Sequence, residues 1–177
     1  MDRSALSFIT ATSDDVGRVL ALVRARAEWI RAKGSRQWQV FLTDDAETLV
    51  SRLVATGRTH LVTLDGRDVG TLRLDWSDER FWGARGLDGS AGYVHTLATH
   101  RDFAGQRLVA HMLQWACDRI VEAGRELLRI DCDATNATLV AYYLSFGLEP
   151  REVVPMESIM PGYRSQLLER SAHERVG

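Results

Sequence analysis

An α/β chain (α+β in some schemes), folded as a single domain with a mixed sheet of six or seven strands flanked by about four helices, is what this sequence predicts. Three observations carry the prediction. Between Gly92 and Gly147 an extended run, a long amphipathic stretch, a short apolar run and a second apolar helix follow one another as β-loop-α-β-α. That order favours a parallel strand pair joined by a right-handed helical crossover. Upstream, residues 59–64 and 69–76 flank Asp65-Gly66, the signature of a tight antiparallel hairpin. Finally, 177 residues build one good hydrophobic core, whereas two half-length domains would each be marginal.

In chain order, Leu6, Phe8 and Ile9 predict a short first strand. Thr12, Ser13 and Asp14 offer caps for a helix whose stripe is Val16, Val19, Leu20, Val23, Ala27 and Ile30, running to Lys33 and ended by Gly34. Thr43 or Asp44 can cap a second helix carrying Ala46, Leu49, Val50, Leu53 and Val54, which Gly57 closes. After the hairpin, residues 77–90 lose all periodicity and hold Gly83, Gly86 and Gly89 with Phe81 and Trp82. We expect a surface excursion there, of a length that usually serves a site or an interface.

The central unit begins at Gly92 and has a polar exit after Thr99. From Gly105 the residues Leu108, Val109, Met112, Leu113, Ala116, Ile120 and Val121 line one side of a helix that Gly124 stops. Leu127, Leu128 and Ile130 return to the sheet, and Asn136 can cap the second helix. Residues 148–154 read as a strand that Pro150 confines to an edge or a bulge. Residues 163–169 form the last strand. The domain is expected to span 1–170, with 171–177 as a flexible tail.

The formal net charge of -2 supplies no basic excess for a nucleic acid or an anionic membrane. Lys33 is the single lysine, so 21 of the 22 basic residues are arginine, a compositional bias. With no signal-peptide pattern and no apolar run of membrane-spanning length, the expected location is cytoplasmic. Cys117 and Cys132 form no CxxC pair, and reduced thiols are the default there. His60, His95, His100, His111 and His173 have no compact ligand spacing, and no metal is expected.

The stretch NATLVAYYLSFGL, residues 136–148, is the most specific in the chain: Asn136, Tyr143 seven positions on, Gly147 four beyond that, then Leu148. It resembles the GCN5-related N-acetyltransferase family, which carries Phe where Leu148 stands. The element order resembles that family over nearly the whole chain. The resemblance implies an acyltransferase-like splayed sheet and transfer of an acetyl group from acetyl-coenzyme A, as co-substrate, to a primary amine of a small molecule or peptide. Trp29, Gly34, Gln37 and Trp38 resemble one subgroup's acceptor-side segment, which makes Trp29 and Trp38 candidate substrate contacts.

In the family's pyrophosphate loop, Arg or Gln is followed after two intervening residues by Gly and, after one more intervening residue, by Gly or Ala. Here Ala104, Arg107 and Val109 take those places, and glycine remains only at Gly105. Side chains on this turn would either close the cofactor groove or let the Arg107 guanidinium replace backbone approach with a charge-assisted contact. The cofactor-binding residues implied are Leu97, Ala98, Thr99, Ala104, Gly105, Gln106, Arg107, Leu108, Val109 and Asn136.

For the chemistry, Tyr143 is the candidate proton donor, since a phenol stays protonated near neutrality. His95 is the candidate base for the incoming amine. Asp131 and Asp133 share a strand parity and are candidate contacts for a cationic amine, while Cys132 faces the other way. Packing alone also accounts for a tyrosine pair or a strand histidine. Two other readings stay open: a repurposed biosynthetic enzyme independent of coenzyme A on the same fold, which the altered loop motivates, and a noncatalytic ligand-binding or regulatory protein. A homodimer through residues 77–90 or the late strand is a further expectation.

Overall fold

In the computed structural model the described residues are 6–103, 105–157 and 160–177; Ala104, one of the expected loop residues, lies outside them. The strands are β1 (Leu6–Thr10), β2 (Thr59–Leu64), β3 (Arg67–Asp75), β4 (Ala91–Thr99), β5 (Leu127–Asp133), β6 (Glu149–Pro155) and β7 (Arg164–Ser171). They form a seven-stranded mixed sheet in the order β1-β2-β3-β4-β5-β7-β6. The α-helices among the described residues are α1 (Val16–Ala32), α2 (Ala46–Ala55), α3 (Glu79–Trp82), α4 (Leu108–Glu122) and α5 (Ala137–Leu144). The α/β class is therefore as the sequence predicts. None of these helices is long and apolar enough to cross a membrane.

The chain divides into two compact units: the part up to Arg73 with Thr96–Val109, and Leu74–His95 with Ala110–Gly177. In the first, Asp65 and Gly66 both take positive φ, 50° and 77°. That conformation matches the right-handed twist of the flanking strands. Val19, Leu20, Val23 and Ala27 of α1 are buried with Val50 and Val54 of α2 and Leu61 of β2, the stripes the spacing predicts. The cap of α2 is Asp45 rather than Thr43 or Asp44.

In the second unit β4 and β5 are parallel, in register from Ala91↔Leu127 to Val94↔Ile130. Met112, Leu113, Ala116, Cys117 and Ile120 of α4 are fully buried. Gly92 lets that helix approach closely: a Cβ there would stand 2.4 Å from Ile120 Cγ1. β6 is the edge strand, and its register with β7 slips between Pro150 and Val153, because proline cannot donate to the ladder.

Residues 77–90 are mostly exposed, as a surface excursion is expected to be, but they are not irregular throughout: α3 and a 3-10 turn over Gly83–Leu87 bury Trp82 with Ala91, Tyr93 and Leu167. The aromatic residues give this segment a core of its own. In the 171–177 segment, Arg170 Nη2 donates to the carbonyls of Glu174 and Arg175 (3.0 and 3.1 Å) and Val176 N–H donates to Gln114 Oε1 at 2.9 Å.

Candidate active site

His95 stands on β4 with Ala91 and Tyr93, on the face that residues 77–90 cover. Strand alternation puts Asp131 of β5 on the face of Arg129. Arg129 in turn reaches Tyr93 Oη at 2.9 Å. Three carboxylates converge on the imidazole. Nε2 is 3.5 Å from Asp78 Oδ2 and 4.0 Å from Asp75 Oδ2, and Nδ1 is 3.5 Å from Asp131 Oδ1. The side chains are only 16% (His95), 6% (Asp75), 7% (Asp78) and 13% (Asp131) exposed, so these charges interact under weak solvent screening.

Asp78 is the N-cap of α3, its Oδ1 accepting from Phe81 N–H at 3.2 Å. Its Oδ2 is buried and accepts no hydrogen bond among the described residues. Burial raises the Asp78 carboxyl above its ordinary range, with Asp131 and Asp75 adding to the rise and His95 opposing it. Asp131 Oδ2 accepts from Ser165 Oγ at 3.2 Å.

Asp78 reaches His95 because its segment is fixed to the sheet. Asp78 N–H donates to Gly86 O at 3.0 Å, and a Cβ on Gly86 would lie 2.1 Å from Asp78 O, so that position excludes any side chain. Arg129 secures the other end. Its Nη1 donates to Arg85 O at 2.6 Å, its Nε to Glu169 Oε2 at 2.6 Å, and the guanidinium lies 4.8 Å from the Trp82 ring centroid.

Immediately after His95 the strand is strained. Thr96 has φ 50°, which a β-branched residue adopts rarely and at some energetic cost. Leu97, Ala98 and Thr99 complete β4. His100 N–H donates to Val69 O at 2.8 Å, anchoring the start of the loop that follows. Gly105 and Arg107 then take φ 78° and 54°. Arg107 thus sits in the left-handed region that glycine occupies without strain, and the turn opening α4 is built despite the substitution. Gln106 and Arg107 are exposed, while Leu108 and Val109 are 3% and 8% exposed, so the branched Val109 side chain points into the core. An exposed cationic turn leading into the amino end of a helix suits an anionic diphosphate.

The remaining predicted residues have these places. Asn136 caps α5, its Oδ1 accepting from Leu139 N–H at 3.0 Å. Tyr143 is buried, its ring 6.1 Å from that of exposed Tyr142. Trp29 has the guanidinia of Arg26 and Arg101 at 4.7 and 5.7 Å from its ring centroid. Trp38 has φ 62° and packs edge-on against Phe41 at 5.5 Å. Asp133 differs from Asp131: its Oδ1 accepts from Thr135 N–H and Oγ1 at 2.9 and 2.7 Å, closing the turn before α5. Burial, with Asp131 and Asp133 adding, pushes the Cys132 thiol up to about 12, which removes thiolate character near neutrality.

His95 and Asp131 are thus brought together, and Asp75 and Asp78 join them unforeseen. Asp78 had a readable signal, as a cap before Glu79-Arg80-Phe81-Trp82. The ligand atoms of Asp78, His95 and Asp131 lie within 4.8 Å of one another, a grouping the histidine spacing did not reveal. Because different ring nitrogens face the two carboxylates, the imidazole stands between them rather than beside a shared centre.

Residues 24–148 match the acetyltransferase (GNAT) family, and the chain belongs to that family. It is an N-acetyltransferase by that membership. The uncharacterized N-acetyltransferase YesJ of Bacillus subtilis (strain 168) is 31% identical over 144 residues, covering 78% of this chain and 79% of YesJ. A GNAT-family acetyltransferase from Listeria monocytogenes 4b F2365 superposes with a TM-score of 0.75 at 22% identity, covering 94% of each chain. The microcin C7 self-immunity acetyltransferase MccE, solved in complex with acetyl-CoA and AMP, gives a TM-score of 0.67 at 13% identity, covering 94% of this chain and 92% of MccE.

Proposed function

We propose that this chain transfers an acetyl group from acetyl-coenzyme A to a primary amine of a small molecule or peptide, with His95 as the proton acceptor. The observation that carries the reading is the imidazole held between Asp78 and Asp131, 3.5 Å from each. An amine reaches a protein as ammonium and must shed a proton before it can attack. His95 takes that proton on a ring nitrogen, directly or through water, and the carboxylates stabilise the imidazolium that results. Tyr143 holds a proton on its phenolic oxygen for a departing thiolate. Thr96 takes φ 50° in β4, and a main-chain N–H of that strand would stabilise the negative charge that develops on the thioester oxygen.

Acetyl-coenzyme A supplies the acetyl group as an activated thioester. Gly105, Gln106, Arg107 and the first amides of α4 would hold its diphosphate, and the main chain of Leu97, Ala98 and Thr99 its pantetheine arm. The test has two parts. Calorimetric titration with acetyl-coenzyme A, coenzyme A and an unrelated nucleotide at matched salt should show saturable binding of the first two alone. Release of free thiol on adding a panel of primary amines should then fall by about 10²-fold or more in His95→Gln. Unchanged turnover in that variant would remove His95 from the reaction.

A further inference from the structure

Resting on the reading of His95 as proton acceptor, we infer that Asp78 is the residue that positions it: Asp78 keeps the ring proton on Nε2, so that the amine's proton arrives at Nδ1, on the Asp131 side. An imidazole in its accepting form carries a proton on one nitrogen and a lone pair on the other, and the partner of the protonated nitrogen decides which is which. The two sides of this ring differ in what they offer. Nε2 faces Asp78 Oδ2 at 3.5 Å and Asp75 Oδ2 at 4.0 Å, on side chains 7% and 6% exposed. Nδ1 faces Asp131 Oδ1 at 3.5 Å, on a side chain 13% exposed.

Counting acceptors decides between the tautomers. Asp78 Oδ1 already accepts from Phe81 N–H, and Asp78 Oδ2 has no hydrogen-bond donor among the described residues. A lone pair on Nε2 would set a third acceptor against two buried carboxylate oxygens. A proton there instead gives Asp78 Oδ2 the donor that a buried carboxylate oxygen needs. On the other side Asp131 is supplied separately, its Oδ2 accepting from Ser165 Oγ at 3.2 Å. A lone pair on Nδ1 and Asp131 Oδ1, 3.5 Å apart, then form a pair of acceptors that one ammonium or water bridges, with its donor atom about 2.9 Å from each.

Two substitutions separate this role from packing. Asp78→Asn keeps the α3 cap, the amide oxygen accepting from Phe81 N–H, and so turns its NH2 toward Nε2, a donor where an acceptor stood. The ring must answer with its lone pair on Nε2 and its proton on Nδ1. Asp78→Ser also caps the helix, but its shorter side chain presents no fixed donor to the ring. A structural aspartate tolerates isosteric asparagine better than serine, whereas a positioning one tolerates it worse. With acetyl-coenzyme A saturating and an amine that the panel above selects, kcat should fall about 10²-fold or more in Asp78→Asn and less in Asp78→Ser. KM for the amine and calorimetric binding of acetyl-coenzyme A should change little. Histidine labelled with nitrogen-15 reads the ring directly and independently of how much protein is folded. Long-range proton–nitrogen spectra of the neutral form, with His95 assigned by its loss in His95→Gln, should place the proton on Nε2 in the parent and on Nδ1 in Asp78→Asn. Parent-like kcat in Asp78→Asn, a smaller loss there than in Asp78→Ser, or the same tautomer in parent and Asp78→Asn overturns the positioning role and leaves His95 as acceptor. Turnover that survives His95→Gln overturns instead the reading on which it rests.

Discussion

Arg129→Met removes a guanidinium that makes five contacts from an almost fully buried position, its side chain 4% exposed. Nε donates to Glu169 Oε2 and Nη1 to Arg85 O, each at 2.6 Å, and Nη1 also to Tyr93 Oη at 2.9 Å. Nη2 stands 3.5 Å from Asp88, and the guanidinium covers Trp82. Methionine fills similar volume but leaves Glu169 Oε2 and the Arg85 carbonyl without this donor. Removing one partner of a buried ion pair costs about 3–5 kcal/mol. Arg151 Nε still donates to Glu169 Oε1 at 3.1 Å, so the loss should lie at the low end, about 3 kcal/mol. For a chain of this size that lowers Tm by roughly 6–12 °C. Thermal and urea unfolding followed by circular dichroism read it directly. The double variant Arg129→Met/Glu169→Gln should recover about 1–3 kcal/mol relative to the sum of the singles. A loss below about 1 kcal/mol, or strict additivity, would refute the claim that this pair clamps residues 83–88 to the sheet.

Other outcomes follow from single residues. Arg107→Gly releases a left-handed arginine, worth about 1–2 kcal/mol, against the extra chain entropy of glycine, about 0.5–1 kcal/mol. A small net gain in urea stability should accompany roughly tenfold weaker acetyl-coenzyme A binding if the guanidinium contacts phosphate; tighter binding would mean it obstructs. Gly86→Ala places a Cβ 2.1 Å from Asp78 O, so the backbone must move at a cost of about 1–3 kcal/mol. Its pH-rate profile should shift together with kcat, and an unchanged profile would detach Asp78 from the chemistry. Asp78→Asn keeps the α3 cap and removes a carboxyl whose folded pKa is raised. Ionising that carboxyl penalises the fold above its folded pKa and not below its unfolded value. The variant should therefore gain stability relative to the parent between pH 4 and pH 7, and a relative loss over that interval would reverse the assigned shift.

The scaffold was readable because its signals are local. Asp65-Gly66 dictates the hairpin, Gly124 and Gly147 take φ 72° and 78° where the helices were expected to stop, and Pro150 marks the edge strand. The family was readable from Asn136, Tyr143 and Gly147, which keep fixed spacing along α5 and its two ends. The carboxylate ring was not. Asp75 ends β3, Asp78 caps a four-residue helix and Asp131 lies on β5, so the placing of β3 and β5 on either side of β4 and the anchoring of residues 77–90 bring them to His95. Periodicity registers which face a residue is on, not which distant residue shares it.

The positions that local rules predict worst lie along the segments that carry the proposed chemistry. A β-branched residue should avoid positive φ, yet Thr96 adopts it one residue after His95. An arginine should avoid it too, yet Arg107 adopts it at the turn into α4. A buried carboxylate oxygen should find a donor, and Asp78 Oδ2 has none among the described residues. Each departure costs free energy that a merely structural residue would not need to carry, since glycine at the first two positions and asparagine at the third would relieve it. The same backbone turn with glycine would cradle a phosphate by amides alone. With arginine it adds a charge, and that difference is what an affinity measurement on the Arg107 variant resolves.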